Sequence, residues 1–187
     1  MNEKIIVHVC CGVCAITTFR FLEEKFEPIG FWFNPNIHPY EEYKKRLQNA
    51  GYVFQKLGRS IEWDMEYSID KWFSLTTPVA KNKNLRCERC YEIRLEKTAQ
   101  FASEKGIRFF TTTMFYSVHQ NLEAIEKIGN LIAEKYSLNF LPMDLRSYYQ
   151  KGQEISKNWL VYRQRYCGCL FSELEREGLF NEDIKKR

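Results

Sequence analysis

The sequence has no long apolar run. Nothing in its 187 residues approaches the roughly 18 consecutive apolar side chains of a membrane helix, so no membrane role is expected. Met1-Asn2-Glu3-Lys4 leads into only a short apolar stretch before His8. That is not the shape of a secretory leader, and a cytoplasmic location is expected. A glycine-rich phosphate loop is missing as well, since Gly12 stands alone after the first apolar run; this weighs against ATP use. Charge of one sign is scarce: 28 Lys and Arg face 24 Asp and Glu, a net +4. Such a balance permits an acidic partner without demanding one. No internal repeat or clear domain boundary is visible.

What remains is an ordinary globular composition, 44% apolar and 28% charged. A chain of this length buries a real core without disulfides. Residues 1–187 read as a single metal-binding α/β domain, with a core over 1–145 and a helical appendage over 146–187 that completes the site. The pattern predicts a buried strand over Lys4–Val9, a turn at Cys10–Cys14 and a helix over Ala15–Lys25. A strand over Phe26–Asn34 follows, then a helix from Tyr40 to Ala50 that Gly51 ends or that runs on to Gly58. Shorter candidates are a strand at Ile61–Met65 and a helix at Ile69–Leu75, before a polar loop over Thr76–Leu85. A long helix from Arg86 to about Lys105 precedes a strand at Ile107–Thr113, a helix at Asn121–Lys135 and a strand at Asn139–Asp144. Gln150–Arg165 is partly helical, Cys167–Cys169 a turn, Phe171–Glu177 a last helix, and the charged tail Asn181–Arg187 is expected to fray. Alternating strands and helices predict a parallel sheet flanked by helices.

The unusual feature is cysteine. Seven occur in three clusters: Cys10, Cys11 and Cys14 after the first strand, then Cys87 with Cys90, then Cys167 with Cys169. In a reducing compartment such clusters indicate metal binding or redox chemistry rather than a disulfide framework. Ligands of open α/β sheets sit beyond the carboxyl ends of strands, which is where the first cluster falls. Cys87 and Cys90 share one helix face, and the free N–H groups expected there would favour thiolates. Gly168 lets Cys167 and Cys169 converge. A structural zinc needs four ligands and would leave three thiols idle. A 4Fe–4S cluster also takes four, and the other three could hold a second metal or act in redox chemistry. The cluster reading fits best, with structural zinc, thiol redox chemistry and inert buried cysteines as alternatives. Spacing does not say which four thiols serve. The stretch Trp159–Tyr166 interleaves basic and aromatic residues, a mixture suited to phosphates and stacked bases; a half-buried edge is the plainer reading.

These motifs resemble the epoxyqueuosine reductase QueH family over nearly the whole chain. The likeness runs through His8–Cys14, Phe33–Pro39 with Glu42, Tyr43 and Arg46, Arg86–Leu95 with Thr98 and Ala99, and Phe110–Thr113. It closes on Tyr162-Arg163-Gln164-Arg165-Tyr166-Cys167-Gly168-Cys169, the most specific motif. One departure is Ser117-Val118, where the family usually has Ser-Pro, so the local loop shape is not carried over. The resemblance implies a Rossmann-like fold of the adenosine-nucleotide-hydrolase type. It also implies reduction of the epoxide of epoxyqueuosine at the tRNA wobble position to give queuosine, with a 4Fe–4S cluster, a second iron ion and no cobalamin. The partners implied are that tRNA and an electron donor.

Within that frame Cys87 and Cys90, with one thiol from each other cluster, are the expected cluster ligands. Cys10 or Cys14, with a Cys167 or Cys169 sulfur and a carboxylate, would hold the second iron. His8, Tyr91, Tyr162 and Tyr166 are proton-donor candidates, although a His ending a buried strand is as readily a core residue. Asn34 and Asn36 are candidates for the substrate's hydroxyls or base, or simply turn residues. Arg163, Arg165, Lys44, Arg46 and Arg86 are candidates for tRNA phosphates. Two functions of other classes compete: a zinc-stabilised RNA-binding module and a thiol-dependent tRNA sulfurtransferase.

Overall fold

Ile5, Ile6 and Val7 are wholly buried, and only a strand covered on both faces buries three consecutive side chains. In the computed structural model, which describes residues 2–180, they form the middle of β1 (Glu3–His8). This strand is the centre of a five-stranded parallel sheet of order β3-β2-β1-β4-β5. Its partners are β2 (Phe26–Trp32), β3 (Ile61–Trp63), β4 (Phe109–Thr112) and β5 (Asn139–Phe140). Ile5 and Val7 face a core shared with α1 (Gly12–Leu22) and α2 (Tyr40–Leu57). Ile6 faces a second core that includes residues of α3 (Ile69–Thr76), α4 (Lys83–Glu104) and α5 (Leu122–Tyr136). Two short helices, α6 (Tyr149–Asn158) and α7 (Leu170–Arg176), follow the sheet. The Rossmann-like α/β expectation holds: a parallel sheet with helices on both faces.

Several boundaries differ from the sequence reading, each for a local reason. Gly12 is the first residue of α1 rather than part of a turn. A Cβ there would lie 2.9 Å from Val53 Cγ2 and 3.1 Å from the Asn49 carbonyl oxygen, so glycine lets α1 approach α2 closely. Gly51 does not end α2, because Val53 and Phe54 continue its buried face; the helix stops at Gly58, whose φ of +63° is left-handed. The polar segment 76–85 is not all loop. Thr76 is buried within α3, and α4 begins at Lys83, with the Asn82 side chain accepting from the Leu85 N–H at 3.2 Å. The tail beyond Phe180 lies outside the described residues.

Candidate metal centre

The sheet order places a topological switch point between β1 and β4, since the chain leaves β1 for β2 and returns later to the other side of β1. Cys10 sits at that point. Its N–H donates to Thr113 Oγ1 at 3.0 Å, and the Thr113 hydroxyl is directed at Cys10 Sγ at 3.2 Å. The threonines ending β4 thus orient the first thiol of β1. Six of the seven cysteines line one cavity of about 520 Å³ above this edge, and Cys11 lies buried beside it. A space of that size accommodates a nucleobase-sized guest.

Cys10, Cys11 and Cys14 form the tightest group. Their sulfurs lie within 4.8 Å of one another, the one set of three among the described residues, and no carboxylate joins it. Cys11 caps α1, its sulfur accepting from the Cys14 N–H at 3.3 Å. Its Sγ is 2.9 Å from that of Cys14 and 4.0 Å from that of Cys10, and Gln164 Nε2 donates to it at 3.0 Å. Hydrogen bonds from Cys10 and Cys14 hold Cys11 well below the usual thiol range. The same sharing pushes Cys10 up to about 11 and raises Cys14 well above the usual thiol range. Two thiolates bound to one tetrahedral ion at about 2.3 Å sit roughly 3.8 Å apart; the 2.9 Å between Cys11 and Cys14 is shorter, so the trio could hold a single ion after those two sulfurs move apart.

The remaining four thiols come from two elements. Cys87 and Cys90 lie in the second turn of α4, not at its start, so the N-terminal N–H groups of that helix do not reach them as the sequence implied. Burial, and the neighbouring thiols Cys90 and Cys167, push Cys87 up to about 12. Burial likewise raises Cys90, and takes Cys169 to about 12. Burial thus keeps Cys87, Cys90 and Cys169 in the neutral thiol form in the absence of a cation. Cys167 is exposed at the mouth, where Gln120 Nε2 donates to its sulfur at 3.4 Å.

The turn bearing Cys167 and Cys169 is fastened from below. Arg46 donates to the carbonyls of Cys167 at 2.8 Å and Tyr166 at 3.1 Å, while its Nε pairs with buried Glu42 at 2.8 Å. The Tyr162 hydroxyl donates to the other Glu42 oxygen at 2.6 Å. The His38 N–H donates to the Gly168 carbonyl at 2.7 Å, the Leu170 N–H to His38 Nδ1 at 3.3 Å, and the Tyr166 hydroxyl to the His38 carbonyl. Gly168 adopts φ +125°, and a Cβ there would meet Arg46 Nη1 at 2.9 Å.

The other expected site residues divide. Tyr91 lines the cavity and donates to Gln120 Oε1 at 2.8 Å. Tyr166 also lines it, but its hydroxyl is turned to His38; Tyr162 points to Glu42. His8 is a core residue. It is fully buried, its Nε2 donates to the Phe33 carbonyl at 3.2 Å, its Nδ1 lies 3.0 Å from Thr112 Oγ1, and burial depresses its pKa to about 4. Asn34 and Asn36 are buried outside the cavity lining, and Asn34 Nδ2 donates to the Val9 carbonyl at 2.8 Å. Of the arginines, Arg163 and Arg165 stand exposed at the cavity rim. Arg46 is engaged as above, and buried Arg86 bonds Glu175 and the Ala80 carbonyl. Lys44 pairs on the surface with Glu41 at 2.6 Å. The sequence reading overlooked Gln120, Gln164 and Arg94, all of which line the cavity. Arg94 had a usable signal, being four residues after Cys90 and seven after Cys87 on one helix face.

Fold and thiols together define an α/β protein with a cysteine-lined site, three of whose thiols could hold a metal ion, at the carboxyl edge of its sheet. The chain matches the family described as Epoxyqueuosine reductase QueH over residues 5–175. It is 40% identical to the Epoxyqueuosine reductase QueH of Thermotoga maritima, covering 98% of this chain and 97% of the relative. It is 32% identical to that of Dehalococcoides mccartyi, over 95% and 97% of the two chains. This protein therefore belongs to the epoxyqueuosine reductase QueH family, oxidoreductases acting on tRNA. A solved structure described as a predicted subunit of tRNA methyltransferase from Methanocaldococcus jannaschii shares the fold, with a TM-score of 0.54 at 10% identity over 83% of this chain and 74% of that one. No helix among the described residues is long and apolar enough to cross a membrane.

Proposed function

We propose that this protein reduces the epoxide of epoxyqueuosine at the tRNA wobble position to give queuosine, with iron–sulfur chemistry, without cobalamin and in the cytoplasm. The observation that carries the reading is the convergence of three sequence-distant cysteine clusters on one cavity at the switch point, in a chain of this family. The whole chain acts as one domain, residues 1–145 supplying the core and 146–187 completing the site.

The reaction consumes two electrons from an external donor and two protons, and releases an alkene and water. Cys87, Cys90, Cys167 and Cys169 are the four thiols for a 4Fe–4S cluster, and Cys10, Cys11 and Cys14 the three for a second iron. The trio's tight spacing favours this division over one that mixes the clusters. When bound, the cluster supplies electrons singly and the iron a Lewis-acidic position for the epoxide oxygen. Around them the chain's own groups orient the guest. Arg163 and Arg165 at the rim meet the phosphates flanking a flipped-out wobble base. Tyr91, whose hydroxyl reaches Gln120, and His119 on the same loop line the cavity and are the proton carriers within reach. His8, Tyr162 and Tyr166 have their polar atoms engaged in holding the frame.

The test is anaerobic purification followed by iron and acid-labile sulfide counts, and a tRNA assay for conversion of epoxyqueuosine to queuosine with a chemical reductant. About four sulfides with four or five irons per chain and conversion of the tRNA support the reading. One zinc without sulfide, and no conversion, sink it.

A further inference from the structure

Three arginines are buried among the described residues: Arg46 at 2%, Arg86 at 4% and Arg94 at 2% exposure. The first two have carboxylate partners, Glu42 and Glu175. Arg94 has none among the described residues. Its Nε donates to the Cys90 carbonyl at 2.9 Å, and its guanidinium carbon lies 5.8 Å from the centre of the Tyr91 ring. A guanidinium cannot shed its proton to escape burial, and a buried charge without a counter-charge is strongly disfavoured. What surrounds Arg94 instead is sulfur. It lines the cavity with Cys10, Cys87, Cys90 and Cys167, and thiolates at Cys90, Cys167 and Cys10 would act on it as counter-charges.

We propose that Arg94 is the resident counter-cation of the thiolate centre. Its charge is balanced only when the cavity thiols are ionised on metal, and in return it favours the more reduced, more negative state of that centre. Arg94 is thus a positioning residue of electrostatic kind, acting through the thiolates rather than on substrate. The inference rests on the reading that these thiols hold metal.

The placement gives Arg94 opposite effects on the empty and the loaded protein. Without metal, Arg94 is an unpaired buried charge, so Arg94→Met should unfold at the same urea concentration as the wild type or a higher one. With metal, its loss should weaken binding. Titration of the anaerobic metal-free protein with Co²⁺, read by the thiolate-to-cobalt absorption, should show affinity lowered by about 10–100-fold. After iron and sulfide reconstitution, an EPR-monitored redox titration should show a midpoint potential more negative than wild type. Arg94→Lys, which keeps the charge, should retain most of the affinity.

Unchanged cobalt affinity and midpoint potential in Arg94→Met would overturn the proposal. A rise in KM for tRNA alone would do the same by moving Arg94 to substrate binding. Should Arg94→Met not fold, Arg94→Gln and Arg94→Lys carry the comparison, and a Gln variant that cannot fold without metal assigns Arg94 to the frame and overturns the proposal. Failure of the wild type itself to take up cobalt or iron is a separate result, which defeats the metal reading instead.

Discussion

Arg46 Nη1 donates to the carbonyl oxygen of Cys167 at 2.8 Å, across 121 positions of sequence. With the bonds made by His38 it holds the last cysteine turn in place. Arg46 is itself held by Glu42 one turn earlier on α2, so the geometry of the site depends on a charge pair outside the chemistry.

Arg46→Met should leave Glu42 buried without its counter-charge, with the Tyr162 hydroxyl as its remaining partner. Breaking a buried pair by removing one partner costs about 3–5 kcal/mol, readable by urea unfolding of the metal-free protein. The double variant Glu42→Gln, Arg46→Met should recover part of that loss. Iron content should fall in both, because the Cys167 and Tyr166 carbonyls lose their donor.

Gly168→Ala places a side chain at φ +125° and within 2.9 Å of Arg46 Nη1. Strained backbone of this kind costs on the order of 1–3 kcal/mol. The variant should unfold at lower urea and lose sulfide on reconstitution, whereas Gly106→Ala, with nothing within 4 Å of the added carbon, should only destabilise.

His38 gives a pH dependence with a definite sign. Burial among Tyr67, Trp72 and Phe73 lowers its pKa to about 4, against a smaller opposing pull from the Pro35 carbonyl. The unfolded chain, near 6.5, therefore binds more protons between about pH 4 and 6.5, and stability rises with pH through that window. Stability from His38 is fully present above pH 6.5 and is lost as pH falls toward 4. Urea midpoints of the metal-free protein across this range should show a shallower slope for His38→Gln than for wild type.

The two thiol sets should separate analytically. Cys169→Ser should lower sulfide from about four per chain toward none while leaving some iron bound. Cys11→Ser should keep the sulfide and lose the extra iron. Equal loss of both in each variant would mean that the clusters share ligands across the cavity.

Much of the frame was legible because it is written locally. Ile5-Ile6-Val7 announces a doubly covered strand, and the cysteines after it fall where the fold puts ligands. The start of α4 was missed because it depends on Asn82 as a cap within a polar stretch that reads as loop. The arginines misled more. Residue type says that Arg46 and Arg86 are cationic, not that each is turned inward. The Glu42 partner of Arg46 lies four residues away and could have been suspected, but Glu175 lies 89 positions from Arg86 and no local pattern points to it. Arg94 was overlooked for the opposite reason, since its meaning lies in the carboxylate partner it lacks among the described residues.

The fastening of the last cysteine turn to α2 also bears on how the protein is made. Cys10, Cys11 and Cys14 leave the ribosome first, and roughly 150 further residues must follow before Cys167 and Cys169 exist. At typical rates of synthesis that interval is about 10–30 s. During it Arg46 has no carbonyls to hold and α4 has no facing wall, so the early trio is the only complete cysteine triplet on the nascent chain. On the proposed division of the thiols, the order of translation completes the donor set of the single ion long before the wall that Cys167 and Cys169 supply.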